Sequence, residues 1–566
     1  MTEVDIVSRL KDWQANAQNE EIASELIKMS EAYEAGDITT ATDAFFRDLE
    51  FGTAGLRGII GAGTNRMNLY TVGRATQGLA DYVNDHFTNP SVAVARDSRN
   101  KGEFFVQVVA SVLASNGIMV YVYPRIEPTP ALSFAVRDLH CSAGINMTAS
   151  HNPAEYNGYK VYGPDGCQIT SQAATEISEA IAKHGYFDEI DYIPFDEALK
   201  KGMITWIGDD TLDRFIDAVA EQSLEDPEAE KMPLKVVYTP LNGTGLECVS
   251  RILNRVGDIE VEVVEEQAQP DGDFPTCPYP NPEARPALER GIELCKKVHP
   301  DILLATDPDA DRVGVACEFG NDYALLTGNE IGVLLLDYVA FVRQQRGEDV
   351  SQMVAISTIV SSAMSDSIAA EYGFELRRTL TGFKYIGEQI ALLEAAGEID
   401  RYLFGFEESY GYLAGTHVRD KDAIVASMLI CQMARFYRSK GRSLIDAIND
   451  LYEKYGYWLN NTISLSYPGA DGAQRMADIM ATLREITPDQ IAGAAVTKAI
   501  DYKPGVRGLP PADVLEFHLT GGAKVIVRPS GTEPKIKVYL FVNEITQGGA
   551  EKMLVNLEKA MRKILD

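Results

Sequence analysis

Val92-Ala93-Val94-Ala95, then Arg96-Asp97-Ser98-Arg99, a helix-patterned run from Glu103 to Ala114, and Met119-Val120-Tyr121-Val122 form the stretch that decides the fold. Two short apolar runs flank a segment of helical length, and strands joined by such a crossover lie parallel in one sheet. The same alternation extends outward from about 50 to 200. A second series opens at Leu234-Lys235-Val236-Val237-Tyr238, after a charged, helix-poor stretch from Glu225 to Lys231, and ends in the strand Ile302-Leu303-Leu304-Ala305. A third runs from about 328 to 455, with strands near 353–357, 374–378 and 402–406. The tail differs: closely spaced strands near 514–520, 523–527 and 535–542 and a helix pattern over 548–564 read as an α+β domain. Residues 1–45 are acidic and helix-patterned and read as an N-terminal arm. The expected division is therefore 1–45, 46–205, 206–325, 326–455 and 456–566. No short-period sequence repeat links the three α/β units.

The composition narrows the function. With 566 residues, 45% hydrophobic and 24% charged, the chain reads as an ordinary soluble protein of several domains. A net charge of −31 argues against a general nucleic-acid or anionic-membrane binder. If the substrate is an anion, arginines and lysines must reverse that field locally in the functional loops. Seven cysteines, none in a Cys-x-x-Cys pair, suit a reducing compartment. The first residues carry charge where a signal peptide needs an apolar core, and the most apolar runs are too short to span a bilayer. The expectation is a cytoplasmic protein.

Four loops carry the chemistry. Thr148-Ala149-Ser150-His151-Asn152-Pro153 follows an apolar strand-like approach, Ala143 to Met147, and leads to Lys160. A hydroxyl placed between an imidazole and an ammonium suits covalent phosphoryl transfer; ordinary turn material is the alternative. Asp307-Pro308-Asp309-Ala310-Asp311-Arg312 follows the strand at 302–305. Alternate residues of an extended or loosely looped chain point the same way, so three carboxylates converge and call for a cation, with oxygen-only ligands favouring Mg²⁺ or Ca²⁺; a solvated acidic turn is the alternative. An EF-hand fails, because its sixth position needs glycine and holds Arg312. Arg528-Pro529-Ser530-Gly531-Thr532-Glu533-Pro534-Lys535 offers a guanidinium fork, hydroxyls and backbone N–H groups as an anion cradle, or a plain hairpin turn. Gly405-Phe406-Glu407-Glu408-Ser409, with Lys384 and Lys421 in neighbouring loops, reads by itself as a solvated loop, or as one that hydrogen-bonds sugar hydroxyls. A glycine-dense segment, Phe51 to Gly58, holds Arg57. No P-loop is present; Gly243-Thr244-Gly245 lacks the third glycine of a dinucleotide fingerprint, and Ser150 lacks the flanking glycines of a nucleophile elbow.

With these segments in this order, the chain resembles the α-D-phosphohexomutase family of phosphoglucomutases and phosphomannomutases. The resemblance implies an α/β fold of four domains around a central cleft, three similar α/β units with mixed sheets and a C-terminal α+β domain. It implies that Ser150 is a phosphoserine and that one Mg²⁺ lies between it and Asp307, Asp309 and Asp311. It places Arg57, His151 and Lys160 near the transferring phosphate, with Lys160 or His151 as proton shuttle. Glu407 and Ser409 would read the sugar; Lys384, Lys421 and Arg312 would contact the substrate; and Arg528, Ser530, Gly531 and Thr532 would clamp the distal phosphate. Glucose 1,6-bisphosphate would serve as activator and intermediate, and the protein would be a monomer or homodimer. Within the family, Gly-Phe-Glu-Glu-Ser departs from the Gly-Glu-Met-Ser-Gly-His of the phosphomannomutase-type branch. The resemblance therefore points to interconversion of glucose 1-phosphate and glucose 6-phosphate, with pentose or mannose phosphates as alternative substrates. Two rival readings are a sugar phosphatase that activates water and a sugar-phosphate-binding paralogue without catalysis.

Overall fold

The structure, a computed structural model, describes residues 3–52, 55–188, 192–227, 232–467, 472–530 and 535–565. Four sheets follow one another along the chain. In the first, Ser91–Arg96 is central, parallel to Met119–Val122 on one side and to Ala143–Met147 on the other. Tyr156–Tyr162 then doubles back antiparallel to Ala143–Met147. Leu56–Ile59 extends that edge, and Ile204–Trp206 extends the opposite one. The second sheet repeats the plan: Leu234–Thr239 is central, Ile259–Val263 and Ile302–Thr306 flank it in parallel, and Val313–Phe319 returns antiparallel. The third has Val354–Thr358 at the centre, Glu375–Thr379 and Tyr402–Glu407 beside it, and Gly411–Leu413 returning.

The three α/β units are thus structural copies, a likeness carried by topology and not by sequence. Their central strands read as continuous apolar runs because helices cover both faces; Ile302–Thr306 and Val354–Thr358 are buried throughout. The shared plan positions the site. In each unit the turn from the third parallel strand to the returning strand lies at the carboxyl ends of the parallel strands, where open α/β sheets take ligands. Those turns are residues 148–155, 307–312 and 408–410.

The second and third units also share one apolar core. It runs from Leu234 and Val236 through Leu334, Leu335 and Val339 to Ile424 and Met428. The first unit and the C-terminal unit keep cores of their own. The C-terminal sheet has six antiparallel strands, in the spatial order Tyr457–Ser466, Lys535–Glu544, Lys524–Pro529, Leu515–Leu519, Ala494–Asp501 and Gln490–Ile491. Sequence reading finds three of them. Tyr457–Ser466 escapes it because the strand is half-buried, carries Asn460-Asn461 at its middle, and gains its identity from pairing along its length with Lys535–Glu544. Helix Gln547–Leu565 closes the chain over this sheet.

Within the expected arm, residues 3–45 form helices Glu3–Asn16, Glu20–Glu34 and Thr39–Phe45. They are not a loose arm. Trp13 is buried among the rings of Phe45, Tyr70, Tyr186 and Phe187, with centroids 5.3 to 5.8 Å away, which docks the helices on the first unit. All seven cysteines are buried thiols. Among the described residues no helix is long and apolar enough to cross a membrane.

Candidate active site

The first loop begins where Ala143–Met147 leaves its sheet. The Thr148 hydroxyl donates to Asp97 Oδ2 at 2.5 Å and accepts the Ser150 N–H at 2.8 Å. Ser150 sits at φ +52°, a left-handed conformation that costs a non-glycine residue about 1 to 2 kcal/mol. That twist aims its buried hydroxyl out of the loop. Ser150 Oγ donates to Asp307 Oδ2 at 2.7 Å and lies 3.2 Å from His151 Nδ1. Close packing behind the loop requires Gly158, where a Cβ would lie 2.4 Å from the Thr148 carbonyl oxygen.

The second loop brings the three carboxylates together through a turn. Ala310 turns the chain at φ +48°, and the N–H groups of Asp311 and Arg312 donate back to Asp307 Oδ1 at 3.1 and 3.0 Å. One oxygen from each of Asp307, Asp309 and Asp311 falls within 4.8 Å of the others. Asp309 Oδ2 accepts from Thr129 Oγ1 at 2.8 Å and from Lys160 Nζ at 2.7 Å, both from the first unit. Lys160 and Lys421 lie 3.4 and 3.2 Å from Asp311 Oδ2. Burial, then Asp309 and Asp311, push the Asp307 carboxyl well above its ordinary range. Burial acts the same way on Asp309 but is outweighed by the Lys160 ammonium, which pulls it below. Burial likewise opposes charge on Lys160 and Lys421, and the aspartates overcome it, so both stay protonated.

Two buried oxygens, Asp309 Oδ1 and Asp311 Oδ1, accept no hydrogen bond from any described residue. Buried carboxylate oxygens without donors require a cation or a proton. With Asp307 and the Ser150 hydroxyl, they form an all-oxygen donor set that fits a hard divalent ion such as Mg²⁺.

Around this centre, His151 is held well below the usual histidine range by burial, then by Arg312 and Arg57, and is a neutral imidazole. Its ring stands edge-on to Tyr279 at 5.7 Å. Arg57 Nη1 donates to Asn152 Oδ1 at 3.2 Å, and Arg312 Nη1 to Glu283 Oε1 at 2.7 Å. In the third loop Glu407 is buried at the strand end, Ser409 is half-buried, and Tyr410 takes φ +62°. Gly411 leaves room for Lys421, whose Cδ would lie 2.2 Å from a Cβ there. Glu408 turns away to the Thr358 hydroxyl at 3.1 Å, and burial, then Glu407, raise its carboxyl to about 7.

Family models of phosphoglucomutase/phosphomannomutase match the chain in four consecutive pieces. Alpha/beta/alpha domains I, II and III match residues 48–187, 213–320 and 327–455, and the C-terminal domain matches 473–541. The phosphoglucomutase of Staphylococcus epidermidis strain RP62A is 36% identical over 508 residues, covering 88% of this chain and 91% of the relative. The chain belongs to the phosphoglucomutase/phosphomannomutase family. The phosphoglucomutase of Staphylococcus haemolyticus is 35% identical over 523 residues, covering 90% of this chain and 93% of that one. Two solved structures share the fold. They are a phosphoglucomutase/phosphomannomutase family protein from Burkholderia thailandensis (TM-score 0.67, 18% identity, 91% and 97% coverage) and the open form of parafusin, a phosphoglucomutase, from Paramecium (0.66, 18%, 92% and 95%).

In this family member the loops of all three α/β units meet at one point. Ser150, His151, Lys160, Asp307, Asp309, Asp311 and Lys421 form one contact network, with Arg57 and Arg312 beside His151. Asp420 ties the Lys421 loop to the first unit through Tyr162 at 3.1 Å and Gln168 at 2.9 Å. The fourth loop contributes Arg528, which hydrogen-bonds Tyr539 and acts electrostatically on Lys384. Burial, then Arg528, lower the Lys384 ammonium, whose Nζ stands 4.7 Å over the Tyr385 ring. Ser530 ends the described part of that loop; Gly531 and Thr532 lie outside the described residues. Sequence reading passed over Asp97, Arg99 and Thr129. Asp97-Ser98-Arg99 carried a signal, because these charges stand at a strand exit like that of Ser150. The glycines of Gly243-Thr244-Gly245 serve packing: a Cβ on Gly243 would lie 2.4 Å from Pro308 Cα, so the metal-loop candidate rests on this turn.

Proposed function

We propose that the chain is a phosphoglucomutase, interconverting α-D-glucose 1-phosphate and glucose 6-phosphate through glucose 1,6-bisphosphate, with Ser150 as the phosphoryl carrier. The observation that carries this reading is the Ser150 hydroxyl at 2.7 Å from Asp307, within a triad in which Asp309 Oδ1 and Asp311 Oδ1 lack donors. A phosphatase that activates water directly has no need of a serine hydroxyl against the carboxylates. Asp307, Asp309, Asp311 and the Ser150 oxygen would hold one Mg²⁺, which when bound offsets charge on the transferring phosphoryl group.

The residues divide the work as follows. A sugar hydroxyl attacks phosphoserine phosphorus; the new P–O bond forms as the P–Oγ bond breaks. The neutral imidazole of His151 suits it to take the hydroxyl proton, and in reverse to return it, whereas Lys160, held protonated by Asp309 and Asp311, suits charge stabilisation. Glu407 and Ser409 orient the sugar ring through its hydroxyls. Arg528, Ser530, Gly531 and Thr532 hold the far phosphate, with Lys384 beside them, and Lys421 and Arg312 face the substrate. The bisphosphate then reverses end for end and returns its other phosphoryl group to Ser150. Four units enclosing the cleft, divided near 45, 205, 325 and 455, would keep water from the phosphoserine. Seven buried thiols support a reducing, cytoplasmic setting.

The test is a coupled assay with glucose 1-phosphate, Mg²⁺ and catalytic glucose 1,6-bisphosphate, run beside ribose 1-phosphate and mannose 1-phosphate. Glucose 6-phosphate formation that needs the bisphosphate, stops with EDTA and returns with Mg²⁺ is expected. Preference for ribose 1-phosphate or mannose 1-phosphate would reassign the sugar, and release of inorganic phosphate alone would sink the mutase reading.

A further inference from the structure

The loop that presents Ser150 has no regular secondary structure, yet its backbone is tightly held, and one side chain does the holding. Arg99 is buried, and its guanidinium lies at the centre of the loop. Its Nη2 donates to the carbonyls of Ser150, at 2.5 Å, and Asn152. Its Nη1 donates to Pro153 O at 2.8 Å and Tyr156 O at 3.0 Å. Four N–H bonds of the two terminal nitrogens thus meet four carbonyls spread over seven residues. The charge is balanced by Asp97, whose Oδ2 lies 3.3 Å from Arg99 Nε and also accepts the Thr148 hydroxyl that holds the Ser150 N–H. From the second unit, the Phe274 ring covers the guanidinium at 5.1 Å.

Resting on the mutase reading above, we infer that Arg99, with Asp97 and Thr148, is the positioning residue of the phosphoryl carrier. The guanidinium draws the carbonyls inward, so the loop turns its Ser150 side chain outward at φ +52° against Asp307. Without that hub, four carbonyls, two of them on the buried residues Ser150 and Asn152, would lose their donors and the left-handed turn its support. A lysine cannot replace it. Its ammonium has three N–H bonds radiating from one point and cannot span four acceptors that a planar fork meets in pairs. Arg99 touches neither substrate nor reacting atoms; it acts through the placement of Ser150 Oγ.

The experiment uses the full chain with Arg99→Lys and Thr148→Val. Hydrogen–deuterium exchange is followed over residues 148–156, and kcat and KM are measured with glucose 1-phosphate. Expected are a melting temperature close to wild type, faster exchange confined to that loop, an unchanged KM, and a kcat lowered by about 10²-fold for Arg99→Lys, the scale of a reacting group displaced by about 1 Å. Arg99→Ala should regain part of its kcat with guanidinium in the assay, which general destabilisation would not allow. Loop exchange and kcat at wild-type levels in both variants would overturn the inference. So would losses that only track the unfolded fraction. An inactive wild type would strike at the mutase reading instead, while loop exchange would still decide the role of Arg99.

Discussion

At the scale of single residues, the site depends on placing like charges together and then compensating them. Asp307, Asp309 and Asp311 would repel one another in a dry cleft; Lys160 and Lys421 neutralise one side, and the donorless oxygens face the other. Ser150 stands at that open side, so its chemistry and its fold contribution separate cleanly. We expect Ser150→Ala to melt within a few degrees of wild type, because only the bond to Asp307 and the contact with His151 are lost. Its turnover should fall by about 10⁴-fold or more, as for other enzymes stripped of a covalent carrier. The coupled assay measures this, and substantial residual mutase activity would remove Ser150 from the carrier role. That the serine and the three aspartates belong to marked loops was legible in the sequence, because each lies in a short motif with its own spacing. Thr129 was not, since its partner lies 180 positions away, and Arg99 showed only its place at a strand exit, its carbonyl partners lying more than 50 positions on.

At the scale of elements, contacts between distant segments hold short pieces of chain in place. The N-terminal helices read as an acidic arm with no stated docking site, because the aromatic partners of Trp13 at 70, 186 and 187 come from other segments. Trp13→Ala should cost about 3 to 5 kcal/mol locally, seen as early proteolytic release of residues 3–45; wild-type resistance would contradict the packing argument. A second element-level test lies between strand Met119–Val122 and helix Thr129–Asp138. There Glu127 is buried beside Arg125, which also reaches Asp209 and Glu247. Burial, partly offset by Arg125, raises the Glu127 carboxyl from 4.5 to about 8. Across that window the folded chain keeps a proton that the unfolded chain has released, so stability contributed here falls as pH rises. Glu127→Gln lacks this slope and should gain in melting temperature over wild type between pH 5 and pH 8. A constant or shrinking difference would show that the carboxyl titrates normally.

At the scale of the whole molecule, a chain of net charge −31 must admit an anionic sugar phosphate. The Debye length is about 30 Å at 0.01 M salt and about 10 Å at 0.1 M. Added salt in this range screens repulsion by the distant acidic surface, while cleft cations act over a few ångströms. The value of kcat/KM should therefore rise as salt goes from 0.01 to 0.1 M, with kcat steady. A fall would mean that the cationic rim already governs approach from afar.

What the sequence by itself determined is local: apolar strand runs and crossover helices, turn motifs at strand exits, and the residue types that phosphoryl transfer needs. Such patterns are written within a few positions of one another, so short-range physics makes them readable. Only the tertiary structure decided that three units repeat one topology, that their equivalent turns converge, and that Ser150 meets Asp307 across 157 positions. It also decided that Tyr457–Ser466 is a strand and that the N-terminal helices are docked. These outcomes depend on which surfaces pack together, and packing between distant segments leaves no trace in the local pattern of either one.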